Sequence, residues 1–350
     1  MKIATLSNAS VIHTWRWVEY FRSRGHDVRV WSLESGPTEL AACPLPAAPL
    51  PGFARYPFAV PALAREVRDF APDVVDAHFV PNYGLMGVLL GRHPLSVSAW
   101  GSDLLIAGRR GALQRARARF VLARADLVIT DADNLARAAR DLGARPDRVH
   151  AVPWGIRLDR FTPGTRRPGL LLSTRMHEPV YDLATLIEGA AVVMGRRPEL
   201  ELVVAGDGSC RRELERLATA KLPAGRFRFV GRLDPDALAA WLARADLYLS
   251  TSLSDSTSLS LLEAMASGAV PVVSDIEGNR EWVREGDGAR LFAPGDTDSL
   301  SRALEGALSD AAWRDGARAR NRLEVETRGD WTRNMAGIER LFLALTEAPA

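Results

Sequence analysis

The sequence predicts an α/β protein made of two doubly wound, Rossmann-like domains facing each other across a cleft. One observation is a cadence of short apolar runs, rich in β-branched residues, separated by longer amphipathic segments. In the first half the runs are "KIATLS", "HDVRVWS", "PDVVDAH", "PLSVSAW", "ADLVITD" and "DRVHAVP". Strand, helix, strand in that order means a parallel sheet covered on both faces. The second observation is that the cadence restarts with "GLLLSTR", "ELELVVAGDG", "RFRFVGR", "ADLYLSTS" and "AVPVVSD". At 350 residues the chain has room for two such cores.

The elements follow in order. An amphipathic helix is expected over 11–24 after the first strand, and further helices over 182–194, 211–220 and 258–267. Residues 43–61 carry six prolines and read as an extended loop. "WGIRLDRFTPGTRRPG" reads as the join between domains, giving an N-terminal domain over 1–157 and a C-terminal one over 158–330. A last helix over 331–350 is free to return to the N-terminal domain. Ligands of doubly wound sheets sit beyond the carboxyl ends of the strands. "AWGSD", "STRMH", "AGDG" and "TSLSDSTS" each directly follow a strand, so they are expected at one cleft.

Bulk properties exclude several classes. A net charge of +2 gives no electrostatic case for nucleic acid. The cations are nearly all arginine, the lysines being Lys2 and Lys221. Cys43 and Cys210 lie far apart, which suggests neither a disulfide framework nor a metal site. "MKIATLS" enters a strand directly, and no apolar run approaches a bilayer span, so a soluble, cytoplasmic protein is expected. Oligomeric state is not legible.

The densest chemistry lies in "DSTSLSLLEAMASGAVPVVSD", where Asp255 and Glu263 are separated by seven residues. "DSTS" supplies N-cap candidates for a helix whose first turn leaves backbone N–H groups unpaired. Such a helix start binds phosphate, and small side chains at Ser256, Thr257 and Ser258 would let a diphosphate approach. Glu263 lies further along, where a carboxylate can accept both hydroxyls of a ribose. Spacing alone equally admits a capped helix with Glu263 as a surface acid.

This segment resembles the signature of the family-4 retaining glycosyltransferases of the two-Rossmann-domain (GT-B) fold. "RGHDVRV", "WGSDLL", "VPWGIRLDRF", "LVVAGDGSCRRELERLA" and "FVGRL" extend the resemblance over nearly the whole chain. The resemblance implies that Glu263 binds the nucleotide ribose and that Asp255 contacts the transferred sugar, where the family more often has glutamate. It implies diphosphate contacts from Arg175 and from the backbone of Thr257, Ser258 and Leu259. It sets Gly206, Asp207 and Gly208 beside the nucleotide, with Gly231 and Arg232 around the base. "SDIEGNREWV" is similar to the family's loop back toward the nucleotide, with Glu281 and Trp282 fixing it by packing.

Departures are specific. The family commonly has a lysine five residues after the strand-end arginine, and Val180 stands there. Leaving-group charge then falls to Arg175, the helix dipole, and Arg232 or His177. Where the family has a glycine pair after strand one, this chain has Asn8 and Ala9, with Ser10 and His13 following. Trp100 replaces a histidine before Gly101. Trp100 can stack on a sugar face, Asp103 can bind an acceptor hydroxyl or fix its loop, and His78 is a third cleft candidate. A structural role is open for His13 and for His78. Residues 109–127 are basic and amphipathic, which suits a solvated helix face more simply than a membrane surface.

The expected activity is sugar transfer from a nucleoside diphosphate sugar, UDP first and GDP next, to a small-molecule, glycan or lipid acceptor. The resemblance implies retention at the anomeric carbon and no metal; the nucleotide sugar is a co-substrate and no cofactor is called for. The alternatives are a nucleotide-sugar-binding regulatory subunit and an epimerase of the same fold. A nicotinamide oxidoreductase would need glycines after strand one, and "LSNASVIHT" has none.

Overall fold

The computed structural model describes residues 1–46, 52–92, 94–106 and 111–347. It divides into two compact units, the first holding Met1–Pro153 and the chain from Met335 onward, the second Trp154–Asn334. Ile156 bridges to Asp330, and a side chain on Gly155 would come within 2.4 Å of the Gly329 carbonyl oxygen, so these residues belong with the second unit.

In the first unit the order is β1 (Lys2–Leu6), α1 (Ile12–Ser23), β2 (Asp27–Ser32), β3 (Cys43–Pro44), α2 (Arg55–Phe70) and β4 (Val74–His78). Then come α3 (Leu85–Leu90), β5 (Leu95–Ser98), α4 (Ser102–Leu105), α5 (Ala112–Leu122), β6 (Leu127–Thr130), α6 (Asp133–Asp141) and β7 (Val149–Ala151). The sheet order is β3-β2-β1-β4-β5-β6-β7, and every pairing is parallel. The order reverses between β1 and β4, which leaves a crevice at their carboxyl ends.

The proline-rich stretch departs from the expected loop: α2 begins at Arg55 and runs through Pro57 and Pro61. Pro57 falls in the first turn, where its missing N–H costs nothing. Pro61 lies inside the helix, and the burial of Tyr56, Ala59, Leu63, Val67 and Phe70 on one face outweighs the lost bond. Residues 47–51 of that stretch lie outside the described residues. So do residues 109 and 110 of the basic segment, whose remainder forms α5 with Leu113 and Phe120 exposed among its arginines.

The second unit runs β8 (Leu170–Ser173), α7 (Leu183–Met194), β9 (Glu201–Ala205), α8 (Arg211–Lys221), β10 (Phe227–Gly231), α9 (Pro235–Arg244) and β11 (Leu247–Ser250). It continues with α10 (Leu259–Ser267), β12 (Val270–Ser274), α11 (Glu277–Arg280), β13 (Arg290–Phe292), α12 (Thr297–Ser309) and α13 (Ala311–Arg328). Its parallel sheet has the order β10-β9-β8-β11-β12-β13, with the reversal between β8 and β11. Strand alternation splits the core between the two faces. Leu171, Leu247 and Leu249 pack with α7 and α12, whereas Leu172, Tyr248 and Val273 pack under α10. Each such fully buried aliphatic contributes roughly 1.5–3 kcal/mol.

The last helix, α14 (Trp331–Glu347), docks its later turns on the first unit. Phe342 stacks on Phe21 with centroids 5.3 Å apart, and the nearly buried Glu339 accepts from Tyr20 Oη at 2.9 Å and Arg24 Nε at 3.2 Å. It shares a further hydrogen bond with His26 Nε2 at 2.8 Å. Burial opposes ionisation of Glu339, but the bonds from His26, Tyr20 and Arg24 outweigh it and hold the carboxyl below the usual glutamate range. A depressed folded-state pKa contributes stability that is present above the unfolded value and lost as pH falls through the folded one. Urea midpoints of the wild type and Glu339→Gln are therefore expected to differ at neutral pH and to converge below about pH 4. An equal gap at all pH values would contradict that linkage.

Candidate active site

The second unit's switch point is closed by one side chain. Arg175, two residues beyond β8, is 7% exposed. Its Nη1 donates to Ser258 Oγ at 2.7 Å and to Ser260 Oγ at 2.8 Å, and its Nη2 donates to Asp255 Oδ2 at 2.6 Å. Tyr248 Oη, from the neighbouring strand, donates to Ser260 Oγ at 2.8 Å. The guanidinium carbon lies 4.2 Å from the Tyr181 ring centre. Burial works against the charge, yet Asp255, with Tyr248 and Tyr181 behind it, outweighs burial and the guanidinium is held more firmly protonated than a free arginine.

The residues after β11 form the loop that Arg175 clamps. Ser258 caps α10, its hydroxyl accepting a long bond from Leu261 N–H at 3.4 Å. Ser256 and Thr257 are buried beside it. Trp282 Nε1 donates to Thr257 Oγ1 at 3.3 Å, and Ser274 Oγ donates to the Ser252 carbonyl at 2.6 Å. A side chain at Gly278 on α11 would come within 2.1 Å of the Ser256 carbonyl oxygen, so the loop after β12 backs directly onto Asp255 and Ser256. Leu259, Ser260 and Leu261 form the first turn of α10, a row of N–H groups at the positive end of the helix. Glu263 is partly buried on its next turn.

The glycines after β9 serve Arg175 too. Gly206 has φ +121, and a Cβ there would sit 2.5 Å from the Arg175 carbonyl oxygen. Its N–H donates to the Gly231 carbonyl at 2.7 Å, tying the ends of β9 and β10 together. A Cβ on Gly208 would meet the His177 carbonyl oxygen at 2.5 Å. The missing side chains thus let the β9 loop close on the β8 loop. Asp207 turns its carboxylate to Gly208 N–H at 2.9 Å, with Arg211 at 3.7 Å. His177 is fully buried with its ring edge on Phe229, and burial, followed by Arg211, pushes its pKa below the ordinary histidine value. It therefore supplies no positive charge near neutral pH, and Arg232 is exposed at the end of β10.

In the first unit the corresponding switch point gathers a different chemistry. After β1, Asn8 Oδ1 accepts from Ser10 N at 2.9 Å and Ser10 Oγ at 2.7 Å, so these two residues build the turn. Ala9 fits where the family has glycine because Gly36 lies opposite, with no room for a Cβ of its own. His13 stands edge-on to Trp100 at 5.9 Å, and His78 lies 5.5 Å from the same ring. Burial, then Arg16 and His78, pull the His13 pKa down to about 4. His78 and Asp76 are both essentially inaccessible and share a 2.8 Å hydrogen bond through Nε2 and Oδ2. Asp103 is fully buried and accepts from Val80 N and Trp100 N at 3.0 Å each; burial pushes its pKa up to about 6 against those bonds. Its observed task is fixing the loops after β4 and β5.

Sequence reasoning missed Asp76, Tyr181, Tyr248 and Ser260. Asp76 left a trace, a carboxylate two residues from His78 on a strand otherwise apolar. No local pattern announces the others, because their partners are brought together by the sheet. Among the described residues no group of three or more histidine, cysteine or acidic side chains is placed to hold a metal. Nor is any described helix long and apolar enough to cross a membrane.

Comparison with known proteins bears on the family and the fold. Residues 2–132 match the family described as glycosyl transferase 4-like, and residues 167–310 match glycosyl transferases group 1. The phosphatidyl-myo-inositol mannosyltransferase of Mycolicibacterium smegmatis is 28% identical over 96% of this chain and 90% of its own. A D-inositol 3-phosphate glycosyltransferase of Catenulispora acidiphila is 32% identical over 62% of this chain and 56% of its own. Among solved structures, a sucrose-phosphate synthase from Thermosynechococcus elongatus superimposes with a TM-score of 0.88 at 19% identity, covering both chains in full. HepE from Anabaena, solved with UDP-glucose, gives 0.85 at 17% identity over 99% of this chain and 100% of its own. The family matches and the fold thus define a glycosyltransferase with two Rossmann-like domains. Within that class the chain belongs to the family-4 glycosyltransferases.

The packing yields a direct expectation. Gly278→Ala, which adds no charge or polar group, should displace the Asp255–Ser256 turn and lower stability by about 1–3 kcal/mol. A chemical denaturation curve checks it; a variant as stable as wild type would mean that the two loops do not touch as described.

Proposed function

We propose that the chain moves a sugar from a nucleoside diphosphate donor to an acceptor nucleophile, with retention and without a metal ion. The observation that carries this is the assembly of Arg175, Asp255 and the amino end of α10 at the switch point between β8 and β11. Charge that develops on a departing diphosphate needs preorganised donors in a site that excludes water. The α10 amides and the Arg175 guanidinium are such donors, already held in place. Glu263, one turn further along α10, suits the ribose hydroxyls. Asp255, held by Arg175 Nη2 at 2.6 Å, is the carboxylate that would meet a hydroxyl of the transferred sugar.

Front-face attack is the scheme that needs no nucleophile from the protein. In that scheme the leaving phosphate oxygen takes the acceptor's proton as the new glycosidic bond forms. Uridine is the favoured base, supported by the UDP-glucose complex of HepE. The two relatives named above carry inositol in their names, one as a phosphatidyl lipid and one as a 3-phosphate, which supports an inositol-bearing acceptor as the first to offer.

Calorimetric titration with UDP, GDP and ADP, followed by product analysis by NMR, tests the reading. At least one nucleotide should bind, and Glu263→Ala should weaken it about 10- to 100-fold. An α-linked donor should give an α-linked product. A β-linked product would overturn retention, and nucleotide affinity untouched by Glu263→Ala would overturn the ribose assignment.

A further inference from the structure

Arg175 works without the second cation that the family resemblance leads one to expect, and the residue after the vacant position has a distinctive place. Val180 is built into the framework instead: its carbonyl accepts from Leu253 N–H at 2.8 Å. Tyr181 follows. Its N–H donates to the Glu178 carbonyl at 2.9 Å and its carbonyl accepts from Thr251 Oγ1 at 2.8 Å. Asp182 then takes a left-handed conformation, φ 44 and ψ 49, and caps α7 through Thr185. The backbone around Tyr181 is therefore pinned on both sides, and the ring is delivered 4.2 Å from the Arg175 guanidinium carbon.

A guanidinium keeps its five N–H groups in one plane, so an aromatic ring against its face uses none of them. Asp255, Ser258 and Ser260 take three in-plane donors, and Arg175 Nε is buried with no protein partner among the described residues. Nε–H and the remaining Nη2–H are the two donors left for oxygens of an anion. A flexible arginine held only at its Nη groups could still tilt; the Tyr181 ring 4.2 Å from its carbon, with the phenol oxygen also within the guanidinium's reach, restricts that tilt. With Val180 in place of lysine, His177 neutral and Arg232 exposed, that plane governs how the diphosphate meets its principal side-chain cation.

We propose that Tyr181 is a positioning residue for donor binding: its ring orients Arg175 so that one cation suffices for the diphosphate. This rests on the donor reading above. The test uses the full chain, UDP as the titrated probe, and steady-state kinetics with whichever donor and acceptor turn over. Tyr181→Leu should weaken UDP binding about 10- to 30-fold and raise the donor KM by a similar factor. The acceptor KM of Tyr181→Leu, and every constant of Tyr181→Phe, should stay within about twofold of wild type. Should Tyr181→Leu not fold, Tyr181→Met makes the same comparison. Unchanged UDP affinity in the aliphatic variant overturns the proposal, as does Tyr181→Phe falling as far as Tyr181→Leu, which would implicate the hydroxyl. Wild-type protein that binds none of UDP, GDP and ADP overturns the donor reading itself, and the role of Tyr181 with it.

Discussion

A single buried cation joins the two loops that meet where the second sheet reverses its order. Arg175 arrives from β8, while Asp255, Ser258 and Ser260 arrive from the segment after β11, and no other described side chain spans that gap with three polar contacts. An ion pair so enclosed contributes little net stability, but removing one partner leaves a charge uncompensated at a cost of about 3–5 kcal/mol. The surrounding sequence is shaped to keep that geometry. Glycines at 206 and 208 give the Arg175 loop its bed, Gly278 admits the turn at Asp255, and Trp282 holds Thr257 from behind. The proposed chemistry at the amino end of α10 draws on this arrangement, because preorganised donors need no rearrangement as charge builds on a leaving group.

The first unit uses the same topological device. Its reversal between β1 and β4 brings His13, His78 and Trp100 near one another. Asp76 and Asp103 are withdrawn from solvent and turned to internal partners, one to His78 and one to two backbone N–H groups. Phe79, next to His78, has φ +71, an uncommon conformation for a bulky residue. Such strain, held in place by the Asp103 bond to Val80, is of the kind that clusters at working sites.

Much of this was legible in the sequence, and the limits have physical causes. Strand and helix cadence is a local property, so the inner strands of both sheets and helices such as α1, α7, α8 and α10 could be read from periodicity, whereas the short edge strands β3 and β13 could not. The acids at 255 and 263 and the run of small hydroxylated residues between them announced the helix start, since capping is also local. The helix from Arg55 was hidden because proline is a strong local signal against helix, and only tertiary burial of Tyr56, Leu63 and Val67 reverses it. The glycines at 206 and 208 could be recognised as necessary but not explained, because what they accommodate lies about thirty residues away in sequence. Tyr181 carries no motif, and Ser260 lies inside the quoted segment with nothing to mark its partner; their proximity to Arg175 exists only once β8 and β11 are neighbours.

The most direct measurement of the central claim is a crystal structure of the chain with a nucleoside diphosphate bound. The phosphate oxygens should lie within about 3.2 Å of backbone nitrogens at the start of α10 and of the Arg175 guanidinium, with Glu263 on the ribose. A nucleotide whose phosphates rest away from both, with Arg175 still closed on Asp255 alone, would contradict the account.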